Sequence, residues 1–482
     1  MNIYKKFARD TTIYGIASVL PRLVNVLLVS LHTSVLLPKA YSVNTKFYVY
    51  IAFFNVLFTY GMETAFFRFF TLLDKDPKVL KTAFTSLLST GIVFSLLLLY
   101  FHKQTAAFIG ITPDIFLLFV LILFFDTLMV IPYAYLRVTH RPLRFAFYRI
   151  FNISVYALFN LVFLLWLPHF LKEGGALAQW YYNHPKVYYI FFSNLIASVS
   201  TFLLFLPVLL HFRLGVDRAL WLRMLRYGLP IMIAGTFYII NENFDKIALD
   251  RLAGPDIMGS YAAVYKIGVF MVLFITAFRL GAEPFYFNQS KDPDAPRQYA
   301  NIMLAYVILA GTLMVSVVVF LPWIVKIFIR KEAYLRTLGM VPVILYAYLF
   351  LGVYFNLSIW YKLTHKTLYG TLFSAVGATI TVLINLYGIP RIGYMASAYA
   401  TLAAYLVMAA ISYFLGKRYY AIPYQTGKIL IYIAISGFVS WLIFRYFYTD
   451  WTVKLLILAA FAGLIYGLEQ KTVKHLLQSI RR

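Results

Sequence analysis

Apolar residues run along this chain in stretches long enough to cross a bilayer, broken only by short polar or basic connections. A helix needs about 20 mostly apolar residues to span the hydrocarbon core. Scanning for such runs gives about fourteen, centred near Leu20, Val56, Phe94, Phe125, Asn160, Phe202, Phe237, Phe270, Met314, Leu349, Thr379, Leu402, Gly437 and Ala460. The pattern predicts an all-α integral membrane protein of about 14 transmembrane helices. The longest connection lies around Lys172 to Pro185. It is too short for a soluble catalytic domain, so function has to reside in the bundle.

Composition agrees: of 482 residues, 62% are hydrophobic and 13% charged. The absence of cysteine excludes disulfides, thiolate chemistry and cysteine-ligated metal. The first apolar run, behind Lys5, Lys6 and Arg9, is too long and polar-studded for a cleaved signal and reads as an uncleaved span. A net charge of +25 could point to nucleic acid. The cations follow membrane topology instead. With the N-terminus in the cytoplasm, the even-numbered connections hold clusters such as Lys75, Lys78 and Lys81, or Arg137, Arg141, Arg144 and Arg149. The odd-numbered connections hold mostly single cations, Arg330, Lys331 and Arg336 being the exception. The bias is about two to one for both termini inside, so nucleic-acid binding is set aside.

A weak internal repeat organises the spans. Tyr14-Gly15 opens the first and Tyr227-Gly228 the seventh, while Gly61-Met62-Glu63 near the end of the second corresponds to Gly281-Ala282-Glu283 near the end of the eighth. Separations of 213 and 220 residues bracket six spans, an even number that preserves orientation. The expected architecture is two parallel six-helix lobes around a central cavity, residues 1–215 and 216–418, followed by two additional helices and a basic tail over 419–482.

Charges inside spans are costly, about 2.5 to 3.5 kcal/mol each on insertion scales, and normally face a bundle interior or wet cavity. The seventh span carries Glu242, Asp245 and Lys246, and the fourth carries Asp126. Arg22 follows Pro21 in mid-span and precedes Asn25 at helical spacing, which predicts a bent or broken helix presenting a donor face. Lys266 follows Tyr265 in the eighth span. Arg22, Asn25, Lys266 and Tyr265 are the candidate substrate-binding residues, Arg22 being suited to phosphate. The bland alternative for Arg22 is an ion pair with Asp126. Asp126, Glu242, Asp245 and Lys246 are the candidate ion-coupling or gating residues, for a proton or for sodium on hard oxygen ligands. Glu242 and Lys246, four apart, are expected to pair along one face, as are Arg279 and Glu283. Glu63, with Arg68 as its expected partner, joins Arg279 and Glu283 as a candidate cytoplasmic-side gate. No histidine cluster has ligand-like spacing, and no P-loop, G-x-S-x-G or H-E-x-x-H motif is present. Those absences argue against a metalloenzyme, an ATP-driven pump and a glycosyltransferase.

Three blocks carry a resemblance: the opening RDTTIYGIASVLPRLVNVLLVSLHTSVLLPKAY, then YGMETAFFRFF, then YGLPIMIAGTFYIINENFDKIALDRLAGPDIMGSYAAVYKIGVF. They resemble the polysaccharide-transporter, or O-antigen oligosaccharide flippase, family, in the superfamily that also holds multidrug extruders and the lipid II flippase. The resemblance implies a non-enzymatic flippase of the bacterial plasma membrane. It would carry undecaprenyl-diphosphate-linked oligosaccharide from the cytoplasmic to the outer leaflet by alternating access. No cofactor is implied beyond proton or sodium coupling. Implied partners are the lipid-linked oligosaccharide, membrane lipids, and the glycan polymerase and glycosyltransferases of a surface-polysaccharide pathway. The cationic cavity of the family would fall on Arg22 and Lys266. A cation-coupled multidrug extruder, which would favour an acidic cavity, and a membrane-embedded glycan polymerase or ligase, which would need a large outer loop, are the competing readings.

Overall fold

A computed structural model describes residues 3–171, 175–210 and 212–480, with side chains described for residues 13, 15 and 17 and between 19 and 469. Lys172 and the basic side chains of the C-terminal tail lie outside that description. Every regular element among the described residues is a helix. Two compact units emerge, Met1–Ala262 and Ala263–Arg482.

The first unit contains α1 (Ile3–Val35), α2 (Pro38–Thr59), α3 (Met62–Leu72), α4 (Pro77–Tyr100), α5 (His102–Ile109), α6 (Pro113–Val138) and α7 (Pro142–Leu161). A π-turn and the short α8 (Leu167–Phe170) extend α7, and α9 (Ala176–Tyr182), α10 (Lys186–Leu209) and α11 (Arg218–Leu252) follow. Proline opens α2, α4, α6 and α7, where its fixed φ suits the first turn and its missing N–H costs nothing. Asp76 and Asp217 cap α4 and α11 by accepting from the backbone N–H of Lys78 (2.8 Å) and Leu220 (3.0 Å). The most apolar helix, α6, is also the most enclosed of the candidate spans, 67% of its apolar window being buried.

The second unit takes up the end of α12 (Pro255–Tyr265) and continues through a 3-10 turn (Lys266–Gly268) into α13 (Val269–Asn288). It goes on with α14 (Ala295–Val319), α15 (Leu321–Phe328), a 3-10 segment (Glu332–Met340), α16 (Val341–Leu357), α17 (Ile359–Leu363), α18 (Leu368–Ile392) and α19 (Met395–Tyr419). The chain ends in α20 (Thr426–Tyr446) and α21 (Trp451–Ile480), the latter kinked at Glu469.

Twelve helical runs among the described residues are long and apolar enough to cross a membrane. Two more helices are long enough to span: α1, with 33 residues and an apolar stretch described over Val19–Val35, and α11, with 35 residues but too polar to count among the twelve. These two complete the expected set of about fourteen, and they are the helices that carry Arg22 and the Glu242, Asp245 and Lys246 group. Two local expectations change. The helix α1 runs through Pro21 unbroken. The second span, in contrast, is interrupted where Tyr60 (φ 33°) and Gly61 (φ 73°) turn left-handed between α2 and α3. Its sequence counterpart Gly281 stays helical inside α13.

Candidate functional site

The charged stretch of α11 folds onto itself. Consecutive helical residues normally point apart, yet the flexible Lys246 side chain curls back. Its Nζ donates to Asp245 Oδ1 (2.9 Å) and Oδ2 (3.1 Å) and to the Glu242 main-chain carbonyl (2.7 Å). The Tyr261 hydroxyl, on α12, donates to Asp245 Oδ2 at 3.0 Å. Asp245 is 1% and Lys246 8% exposed, so this is a desolvated pair with an added hydrogen bond. The i,i+4 spacing brings Nζ to the Glu242 backbone, and Nζ also reaches the Asp245 carboxylate. Nearer the end of the same helix, Asp250 Oδ2 lies 3.2 Å from Lys46 Nζ on α2.

Inside the first unit a chain of polar side chains links five helices. Asp126 on α6 accepts from Ser198 Oγ on α10 at 2.8 Å. One turn before Ser198, Asn194 donates to the Tyr48 hydroxyl (3.1 Å), which meets the Tyr156 hydroxyl (3.2 Å). Asn160 Nδ2 donates to the Tyr156 carbonyl (2.8 Å), and its Oδ1 pairs with His32 Nε2 on α1 (2.9 Å). Asn152 donates to Thr201 (3.0 Å). The field of Arg149, which stacks on Tyr133 at 4.3 Å, reaches Asp126. This supplies one ionisable carboxylate and a set of hydroxyl and amide oxygens, the donor types that take a proton or a hard cation.

Arg22 and Asn25 sit three residues apart on α1, and both are exposed. Lys266 is exposed too, and it falls where α12 gives way to the 3-10 turn; Tyr265 beside it accepts from the Tyr348 hydroxyl (3.1 Å). Close packing of Gly268 on Tyr348 fixes that turn, since a Cβ there would lie 2.8 Å from the ring.

The helix-end charges also find definite partners. Glu63 pairs with Arg137 on α6 (3.0 Å) in place of the expected Arg68, which stacks on Tyr227 at 4.3 Å. In the second unit Arg279 meets Glu283 at 3.2 Å, as the spacing predicts, and lies 4.0 Å over the Phe355 ring. Lys362 on α17 joins them at 2.6 Å from Glu283. Several groups stood out less from sequence: Lys46 with Asp250, the neutral chain from Tyr48 to His32, and Glu469, buried at the α21 kink with Lys428 (2.9 Å) and Tyr432 (2.9 Å). Among the described residues no three His, Asp or Glu side chains assemble as a metal site.

Residues 230–387 match the MatE family model. No curated protein matches the chain in sequence. Among solved structures it is similar to the lipid II flippase MurJ in an inward closed conformation, with TM-score 0.70 and 14% identity over 94% of this chain and 99% of that one. It is also similar to a multidrug resistance MATE family transporter of the MOP superfamily in an inward-facing conformation, with TM-score 0.63 and 11% identity over 85% and 94% of the two chains. A third likeness is to a MOP superfamily transporter from Pyrococcus furiosus whose binding pocket is described as reversed in polarity, with TM-score 0.58 and 12% identity over 86% and 95%. The fold is that of the MOP-superfamily transporters, and the match to the MatE family model covers about a third of the chain.

Proposed function

We propose that the protein is a flippase that moves a lipid-linked oligosaccharide, carried on undecaprenyl diphosphate, to the outer leaflet of the plasma membrane for surface-polysaccharide assembly. The observation that carries this reading is Arg22, exposed on the helix α1 among apolar turns. A guanidinium does not rest against hydrocarbon, so that face of α1 borders a wet, polar space. Arginine there suits the bidentate contact a diphosphate offers. Lys266 is the second such cation, set at a helix interruption in the other unit. A diphosphate-sugar headgroup cannot cross hydrocarbon unaided; cations at membrane depth lower that barrier while the polyprenyl tail stays in lipid. Supporting this, the likeness to the lipid II flippase extends over 94% of the chain, against 85% for the multidrug transporter. The balance of cations also favours an anionic headgroup over the cationic compounds an extruder takes. Coupling to a proton or sodium gradient is assigned to Asp126 and its polar chain.

The test is translocation of an undecaprenyl-diphosphate oligosaccharide in proteoliposomes beside efflux of a cationic dye. Arg22→Ala and Lys266→Ala are each expected to cut headgroup translocation at least about tenfold at unchanged membrane insertion. Wild-type dye efflux without headgroup translocation would establish the extruder reading instead.

A further inference from the structure

Two cavities of the first unit share one side chain. The smaller, about 420 Å³, is lined by Lys46 and Tyr50 of α2, Asp250 and Arg251 of α11, and Phe108 and Gly110 at the end of α5. The larger, about 580 Å³, is an open groove that also reaches Phe108 and is walled by Leu97, Leu98 and Phe101 with Thr105. One is charged and the other apolar, and Phe108 lines both.

The charged cavity is built. Lys46 Nζ is placed by Asp250 Oδ2 at 3.2 Å, both side chains being mostly covered. Arg251 is held twice by α5: it donates to the Phe108 carbonyl at 3.1 Å and lies 4.8 Å over the Phe108 ring. That leaves other guanidinium N–H groups for the cavity. Gly110 (φ 77°) keeps Lys46 clear, since a Cβ there would come within 3.1 Å of Nζ. Two cations and one carboxylate leave one net positive charge, which matches a single phosphodiester. Nearby, Tyr100, Phe101 and Phe108 are exposed, the aromatic girdle expected where hydrocarbon meets headgroups.

We infer that this pair of cavities is a binding site for a membrane glycerophospholipid, its phosphodiester on Lys46 and Arg251 and an acyl chain along the Leu97, Phe101 and Phe108 groove. The lipid would bridge α2, α5 and α11, and Arg22 and Lys266 are not among the lining residues. It is therefore read on the resting protein with no transport, and it stands or falls apart from the flippase assignment.

The experiment is native mass spectrometry of the delipidated protein titrated with dioleoylphosphatidylglycerol, with dioleoylglycerol and glycerol 3-phosphate as probes lacking the phosphate and the chains. Arg251→Ala leaves the Lys46 and Asp250 pair in place and is expected to weaken the first phospholipid retained by about tenfold or more. Thr105→Trp, which fills the apolar cavity, is expected to weaken it similarly, and neither probe should bind comparably. Equal retention by wild type and both variants, or equal binding of dioleoylglycerol, would overturn the proposal. So would equal binding of glycerol 3-phosphate, which would make the cavity a simple phosphate site.

Discussion

Asp245, buried, and Asp126, partly buried, are both carboxylates in membrane helices, and their surroundings set them apart. Asp245 is neutralised by the adjacent Lys246 and a tyrosine hydroxyl, whereas the hydrogen bond to Asp126 comes from a serine. Removing one partner of a desolvated pair strands the other charge, at about 3–5 kcal/mol. Asp245→Ala is therefore expected to lower the melting temperature and yield sharply, and Asp245→Leu with Lys246→Met to recover most of the loss. Asp126→Asn keeps the shape and an oxygen for Ser198 but cannot ionise. It should fold like wild type and lose the gradient dependence of transport; ion dependence unchanged in this variant would make Asp126 a static polar partner. Charges in apolar runs are conspicuous in sequence, so Arg22, Asp126, Asp245 and Lys266 were legible there. Long-range partners were not: Ser198 reaches Asp126 across 72 positions, Arg137 reaches Glu63 across 74 and Asn160 reaches His32 across 128. Tyr48, Asn160 and Asn194 carry no charge and look like ordinary polar residues of membrane helices until three helices are brought together.

Among elements, the approach of α2, α3 and α11 is set by two glycines that drew notice as repeat markers. A Cβ on Gly61 would lie 2.2 Å from the Gly228 carbonyl oxygen, and one on Gly228 would lie 2.8 Å from that of Tyr60. Backbone meets backbone, and neither side can give. Gly61 is also left-handed (φ 73°), a conformation costing a side-chain-bearing residue about 1–2 kcal/mol. Overpacking adds about 1–3 kcal/mol more. Gly61→Ala is thus expected to destabilise by about 2–5 kcal/mol. Gly281, its sequence counterpart, has open space around its Cβ position and sits inside α13, where alanine is the better helix former. Gly281→Ala should leave the melting temperature unchanged or slightly raised. Equal losses in the two variants, measured by thermal unfolding in one detergent, would refute this packing account. The sequence match was legible, but its meaning was not, because whether a glycine serves a turn, a contact or neither depends on what packs against it.

At the scale of the whole molecule, hydrophobic length alone predicts an all-helical membrane protein, since segments of about 20 apolar residues have few other fates. The helix that falls short of that pattern, α11, does so because it carries polar positions, the candidate coupling residues Glu242, Asp245 and Lys246 among them. Orientation comes from a different term, the bias of lysine and arginine among the connections, and Arg330, Lys331 and Arg336 run against it. A chain without cysteine allows a direct measurement, because every introduced thiol is the only one present. Asp74 lies between α3 and α4, Ser290 follows α13, and Glu332 is exposed beside the exceptional cations. With both termini inside, Asp74→Cys and Ser290→Cys should react with a membrane-impermeant maleimide only after the cells are permeabilised, while Glu332→Cys should react on intact cells. The contrast is decisive because the connection holding Glu332 is as basic as those expected inside. If the cations of that loop governed its side, Glu332→Cys would be protected. Labelling in intact cells would instead show that the summed bias of the earlier connections sets the topology and carries this basic loop outward with it.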